Sequence, residues 1–228
     1  MPPLLSNFAA HQRYQIIRPL LQGQILDLGC GYTRLPDLLA AGQSYTGVDR
    51  WENALNYTRK RYPEATFYRQ DLDEITLTLP AAQYDTIVML AVLEHLHSPD
   101  TLLCNLHSYL APGGKVVITT PSPFGDRMHK TGSRMRLFYS EEKVAHIKIY
   151  GQTEIQDLAL RTGYFFERLQ AFFIADQPID RVSEGGSFQG SLNLGGCFIT
   201  LRGQWAQGII HADVLAPHTG SRRPAEGA

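Results

Sequence analysis

At 228 residues the chain is long enough to bury one ordinary hydrophobic core and too short to suggest a second independent domain. Its 43% hydrophobic and 19% charged residues are globular values, and a formal net charge of -1 offers no global attraction for nucleic acid or an anionic membrane. The three cysteines, Cys30, Cys104 and Cys197, are too widely spaced for a disulfide framework or a zinc site and fit a reducing cytoplasm, while no apolar run nears the roughly 18 residues of a membrane span and no signal core opens the chain.

From about Phe8 to Leu21, the apolar residues Ile16, Ile17, Leu20 and Leu21 recur at helical spacing behind Arg13 and Tyr14, which predicts an amphipathic helix covering a sheet edge. Next comes Gln24-Ile25-Leu26-Asp27-Leu28-Gly29-Cys30-Gly31, an apolar run that stops at two glycines, with Leu35, Leu38 and Leu39 at helical spacing beyond it. That pattern predicts a buried strand, a tight turn and a helix start. In an open α/β sheet this turn lies at the edge where ligands bind, and glycine there lets the backbone approach a ligand closely. A dinucleotide site with the pattern G-x-G-x-x-G would need glycine where Arg34 stands, so NAD and FAD are disfavoured. Asp49 closes the run from Ser44 to Val48, 20 positions after Gly29. A carboxylate at such a strand tip can accept hydrogen bonds from both hydroxyls of a ribose. The two features together read as a site for a nucleoside without a pyrophosphate.

Trp51 to Arg61 is a helix ended by Tyr62-Pro63, and Thr66 to Arg69 is the third strand, running into Asp71-Leu72. Asp71 is either a ligand-edge acceptor or a cap on the following turn. Tyr84 to Leu90 is apolar enough for a strand buried on both faces. Glu94 and His95 then stand at the ligand edge, as a polar lead-in to the helix near Ser98-Pro99-Asp100, where serine or aspartate could cap, or as groups supporting the site. Ala111-Pro112-Gly113-Gly114 is a turn and Lys115 to Thr120 the fifth strand. Residues 121–150 have weak periodicity and mix Arg127, Lys130, Arg134, Arg136, Lys143 and Lys148 with aromatic residues, so they read as a lid on the ligand side or as a surface excursion. Thr153 can cap a helix to Arg161, stopped by Thr162-Gly163; Tyr164 to Ile174 and Cys197 to Arg202 are the last strands. The organisation expected is one domain over 1–215 and a disordered tail over 216–228.

Ile25 to Gly31, with Val48-Asp49, resembles the first two motifs of class I S-adenosylmethionine (SAM)-dependent methyltransferases. Three later stretches fall in the family's order: Gln70-Asp71-Leu72, then Tyr84 to Val88 leading to Leu93-Glu94-His95-Leu96, then Leu110 to Gly114. The resemblance covers roughly residues 10 to 173 and is nearest to small-molecule methyltransferases with a Leu-Glu-His-Leu turn. It implies an α/β fold with a doubly wound seven-stranded sheet, mostly parallel with an antiparallel last strand, and methyl transfer from SAM to a small-molecule acceptor. In that reading Gly29 and Gly31 admit the methionine part, Asp27 orders the turn, Asp49 binds the ribose, and Asp71 and Leu72 frame the adenine. Leu90 and Ala91 lie under the donor. Cys30 and Arg50, inside the same motifs, join the cofactor-binding set, and Arg13 on the leading helix is a candidate for the SAM carboxylate.

Methyl transfer to a hydroxyl or an ammonium needs a proton acceptor, for which an imidazole with an ordinary pKa of about 6.5 is suited. A histidine often stands in the resembled group where His146 stands here, followed by alternating apolar residues. The alternation would turn His146, Lys148 and Tyr150 towards the acceptor and Ile147 and Ile149 towards the core. His146 is therefore either a surface histidine on a lid strand or the candidate base, with His95 or solvent as the other proton acceptor; the chemistry requires no metal. The acceptor is encoded in no motif, although a basic insert suits a polar or anionic one. Two other classes stay open: aminopropyl transfer from decarboxylated SAM, which needs acidic residues for a polyamine, and a non-catalytic SAM-binding partner.

Overall fold

Successive residues of the central strands turn to opposite faces, and here both faces are apolar. Leu26, Leu28, Ile87, Met89, Val116 and Ile118 enter one buried cluster, while Ile25, Val88 and Val117 enter another. Such strands are stable only with helices on both sides. The computed structural model, which describes residues 4–74, 77–79, 83–121, 146–172 and 196–203, supplies them. The strands are β1 (Gln24–Leu28), β2 (Ser44–Asp49), β3 (Thr66–Arg69), β4 (Tyr84–Leu90), β5 (Leu110–Pro121), β6 (Tyr164–Phe172) and β7 (Gly196–Gly203). The helices are α1 (Leu4–Ile17), α2 (Glu52–Arg61), α3 (Pro99–Leu106) and α4 (Gln152–Arg161). Leu102, Leu103 and Leu106 of α3 and Ile155 and Leu158 of α4 pack in the first cluster; Ile17 of α1 and Leu55 of α2 pack in the second. Each fully buried leucine or isoleucine contributes about 1.5–3 kcal/mol relative to leaving it in water.

The seven strands form one sheet in the order β3-β2-β1-β4-β5-β7-β6. The first five are parallel, and β7 runs antiparallel to both β5 and β6. The winding therefore reverses between β1 and β4, and a crevice opens outside the carboxyl ends of those strands. The turns carrying Gly29, Asp49, Asp71 and Ala91 all leave the sheet at that edge.

Four local expectations are corrected. Beyond the glycine turn no full helix forms: Leu35–Leu38 is a single 3-10 turn with Pro36 in its first positions, and the chain is already extended at Leu39, with ψ 142°. Ser98 precedes α3 without a side-chain cap bond; instead the N–H groups of His97 and Ser98 donate to Asp73 Oδ1 at 2.8 and 3.2 Å. Thr153 lies inside α4, whose N-cap is Gly151, and Glu154 Oε2 accepts the Gly151 N–H at 2.9 Å. Finally, Ala111 to Gly114 is an irregularity within β5: pairing with β4 jumps from Tyr84 against Leu110 to Thr86 against Lys115. The expected lid falls almost wholly on 122–145 and the tail on 216–228, both outside the described residues, as are Arg134 and Arg136.

Candidate active site

The turn after β1 is held by its own backbone. Gly29 and Cys30 both donate their N–H to the carbonyl of Val48, at 2.8 and 3.0 Å, so the turn is pinned to the end of β2. Gly29 has φ +71°, and a Cβ there would lie 2.5 Å from Val92 Cγ2, so any side chain is refused both by conformation and by space. Below the turn Asp27, 2% exposed, accepts on one oxygen from Tyr45 Oη at 2.6 Å and Thr33 Oγ1 at 3.2 Å, and Thr33 Oγ1 accepts the Leu35 N–H. That network ties the segment beyond the glycines back to the sheet. Burial pushes the Asp27 carboxyl up to about 7, against the two hydrogen bonds, which lower it. The Cys30 thiol is also driven up by burial, and then by the nearby Asp27 and Asp49 charges, which leaves it without thiolate character for nucleophilic chemistry.

Two cavities meet at this turn. The larger, of about 270 Å³, is bounded by Gly29, Gly31, Asp49, Arg50, Asp71, Leu72, Ala91 and His95, with Tyr32, Trp51 and Val92 among its other walls. The smaller, of about 90 Å³, is lined by Arg13, Tyr14, Asp27, Gly29, Cys30, Thr33 and Leu90. Thus each of the eleven residues assigned to the cofactor lines one cavity or the other. Aromatic walls at Tyr32 and Trp51 were missed by the sequence reading, although each directly follows a motif glycine or stands two places after Asp49.

Asp49 Oδ2 accepts the Gly31 N–H and Oδ1 the Trp51 N–H, both at 2.8 Å. Each oxygen retains a lone pair, which suits an acceptor for paired hydroxyls. Asp71 Oδ1 caps the next turn by accepting the Asp73 N–H at 3.2 Å, and its side chain lines the cavity 3.7 Å from the Arg50 guanidinium. Ala91 closes the floor at φ +57°, a left-handed conformation rare for a residue with a Cβ. Its N–H donates to both the carbonyl and the hydroxyl of Thr119 on β5, and these bonds hold the strained residue at the strand exit.

Past Ala91, a 3-10 turn over Leu93–His95 turns Glu94 inward and leaves His95 on the cavity wall. The Glu94 carbonyl accepts the N–H groups of Ile147 and Lys148, at 2.8 and 3.3 Å, and so draws the distant segment onto the turn. His146 and His95 consequently lie with ring centroids 4.9 Å apart. The two candidate proton acceptors come together, but not by strand alternation: the segment forms no strand, Tyr150 is the buried residue and Ile147 is 47% exposed. Backbone bonding to Glu94 sets its orientation instead. Glu94 is 1% exposed, and burial pushes its carboxyl up to about 7 despite the opposing charges of His146 and Arg13 and the Thr120 hydroxyl. Its Oε2 takes no hydrogen bond among the described residues.

A family model described as a methyltransferase domain matches residues 8–167, which include every one of these groups. The chain belongs to the methyltransferase domain family. Relatives include a trans-aconitate 2-methyltransferase of Delftia acidovorans, 34% identical over 151 residues, or 64% of this chain and 55% of that protein. A ubiquinone biosynthesis O-methyltransferase of Pseudomonas aeruginosa is 34% identical over 101 residues, 42% of this chain and 44% of that one. The chain thus spans about half the length of these curated relatives. Among solved structures, a SAM-dependent methyltransferase of Thermotoga maritima shares the fold at TM-score 0.63 and 19% identity, over 87% of this chain and 90% of that chain. One from Mesorhizobium loti does so at TM-score 0.61 and 19% identity, over 87% and 99%.

S-adenosylmethionine is the methyl donor that membership in this family implies. The residues fit it on the structure's own terms: the glycine turn lies open to the cavity, and Asp49 faces that cavity with lone pairs to spare.

Proposed function

We propose that this protein is a SAM-dependent methyltransferase acting on a polar small molecule through a hydroxyl or amino group. The reading is carried by one juxtaposition: a cavity of about 270 Å³ lined by Asp49 and Asp71 is also lined by His95, with His146 against that ring. When bound, SAM supplies a methyl group already activated by its positive sulfur. Asp49 would then hold the ribose, Asp71 and Leu72 the adenine, Gly29 and Gly31 the passage to the methionine part, and Arg13 the carboxylate in the smaller cavity. Leu90 and Ala91 would form the floor beneath the methyl group. His95 and His146 provide the polar end, where an acceptor oxygen or nitrogen gives up its proton.

What remains for the protein is to place the acceptor atom about 3–3.5 Å from the methyl and to exclude water. The names of the relatives, one acting on trans-aconitate and one in ubiquinone biosynthesis, support a small oxygen-bearing acceptor. The test is calorimetry with SAM, S-adenosylhomocysteine and NAD, followed by a methyl-transfer screen across carboxylate, phenol and amine acceptors. Binding of SAM and S-adenosylhomocysteine but not NAD, with turnover of at least one acceptor, is expected. No binding of either sulfur ligand would end the proposal, and tight binding without transfer to any acceptor would point to a non-catalytic partner.

A further inference from the structure

Glu94, His95 and His146 present one carboxylate oxygen and two imidazole nitrogens that all lie within 4.8 Å of one another. We propose that these three side chains bind a divalent first-row transition cation at the acceptor end of the cleft. Two imidazoles and a carboxylate are the donor set that zinc and its neighbours prefer, and three protein ligands leave coordination positions open for a substrate oxygen.

Three observations support the assignment. Glu94 is 1% exposed and its Oε2 has no hydrogen bond among the described residues, a cost to the fold unless something compensates it. Both histidines are only half-buried, so their rings can adjust. An ion about 2.0–2.2 Å from each ligand places those ligands roughly 3–3.5 Å apart, which asks for an inward movement on the order of 1 Å. In addition, His95 lines the larger cavity, so an ion here would face the space the acceptor must enter. The rival partner for the carboxylate is the Arg13 guanidinium, whose charge also reaches Glu94; a cation on the histidine side has to share Glu94 with it.

The role of the ion rests on the methyltransferase reading: with an ion bound, the two imidazoles act as its ligands and the ion would lower the proton affinity of a coordinated acceptor oxygen, whereas without it the imidazoles themselves accept the proton. Binding of the ion does not rest on that reading, and the two are measured apart. Tag-free protein, stripped with EDTA and dialysed, is titrated calorimetrically with Zn²⁺ alone and then with Co²⁺ followed by visible absorption, without SAM or acceptor. One ion per chain is expected. Glu94→Gln, isosteric but uncharged, and His146→Ala should each weaken Zn²⁺ by more than the roughly 10- to 100-fold that loss of a metal site's outer partner costs. Both should keep S-adenosylhomocysteine affinity within a few-fold, which shows that they are folded. If Glu94→Gln does not fold, His146→Ala decides. The absence of a saturable site, or a site equally tight in a folded variant, overturns the proposal while leaving the methyltransferase reading intact. Ion binding without any S-adenosylhomocysteine binding overturns that reading and leaves the ion site standing.

Discussion

Asp49 and Glu94 are both carboxylates at the carboxyl edge of the sheet, and the fold treats them in opposite ways. Asp49 is met by two backbone N–H groups from its immediate neighbourhood, keeps contact with solvent, and offers its spare lone pairs to the cavity. Glu94 is buried within a 3-10 turn, with its proton affinity raised by burial and one oxygen without a hydrogen bond among the described residues. A satisfied carboxylate is a rigid acceptor for neutral hydroxyls. A buried one with an open oxygen is a cost unless another group meets it. The Asp49 end of the cleft is thus complete in itself, whereas at the Glu94 end the described residues leave an acceptor open.

The largest test of this contrast lies at the incomplete end. His146→Ala should lower kcat by about 10² to 10⁴ for an acceptor that must lose a proton, with S-adenosylhomocysteine affinity unchanged within a few-fold. The loss should shrink for an acceptor already deprotonated. A variant with near-normal turnover between pH 6 and 9, a range around an ordinary imidazole pKa of about 6.5, would move the proton-accepting role to His95 or solvent.

At the complete end the expected effect is smaller and falls on the other ligand. Asp49→Ala removes a charged hydrogen-bond acceptor, a loss worth about 1.5–3 kcal/mol in SAM binding, and also frees the Gly31 and Trp51 N–H groups. SAM affinity measured by calorimetry should fall about 10- to 100-fold while acceptor KM changes little. Equal losses for both ligands would break the division of the cleft into two ends.

A test read in folding stability and not in activity separates burial from site chemistry. Asp27 has its carboxyl raised from 3.8 to about 7 in the folded chain. Its stabilising protonation is therefore fully present below about pH 4 and is lost as pH rises through about 7. Over that window folding stability should fall by up to about 1.4 kcal/mol per pH unit from this group. Asp27→Asn keeps an oxygen to accept from both Tyr45 and Thr33, since both bonds go to the single atom Oδ2. The variant should flatten that part of the stability profile in denaturant titrations from pH 4 to 7. An unchanged slope would mean that Asp27 titrates normally.

The parallel sheet and the cofactor side were legible because their signals are local. An apolar run ending in Gly29-Cys30-Gly31, and a carboxylate at the tip of each of the next two strands, follow from strand period and turn sterics alone. Where the reading failed, the path of the chain decided: it is already extended at Leu39 where leucine spacing suggested a helix, and Asp73, across the loop, fixes the entry to α3 by accepting the N–H groups of His97 and Ser98.

The segment at His146 shows the division most clearly. Its residues alternate like a strand, and alternation alone assigns Tyr150 to the cleft and Ile147 to the core. The structure reverses both: residues 146–150 pair with no strand among the described residues, and the N–H groups of Ile147 and Lys148 are claimed by the carbonyl of Glu94. Sequence by itself determined the glycine turn, the succession of strands along the chain and the carboxylates at their tips, since each depends on residues within a few positions. Only the tertiary structure decided that Glu94, His95 and His146 converge, because that meeting depends on a backbone hydrogen bond between two segments with no shared local pattern.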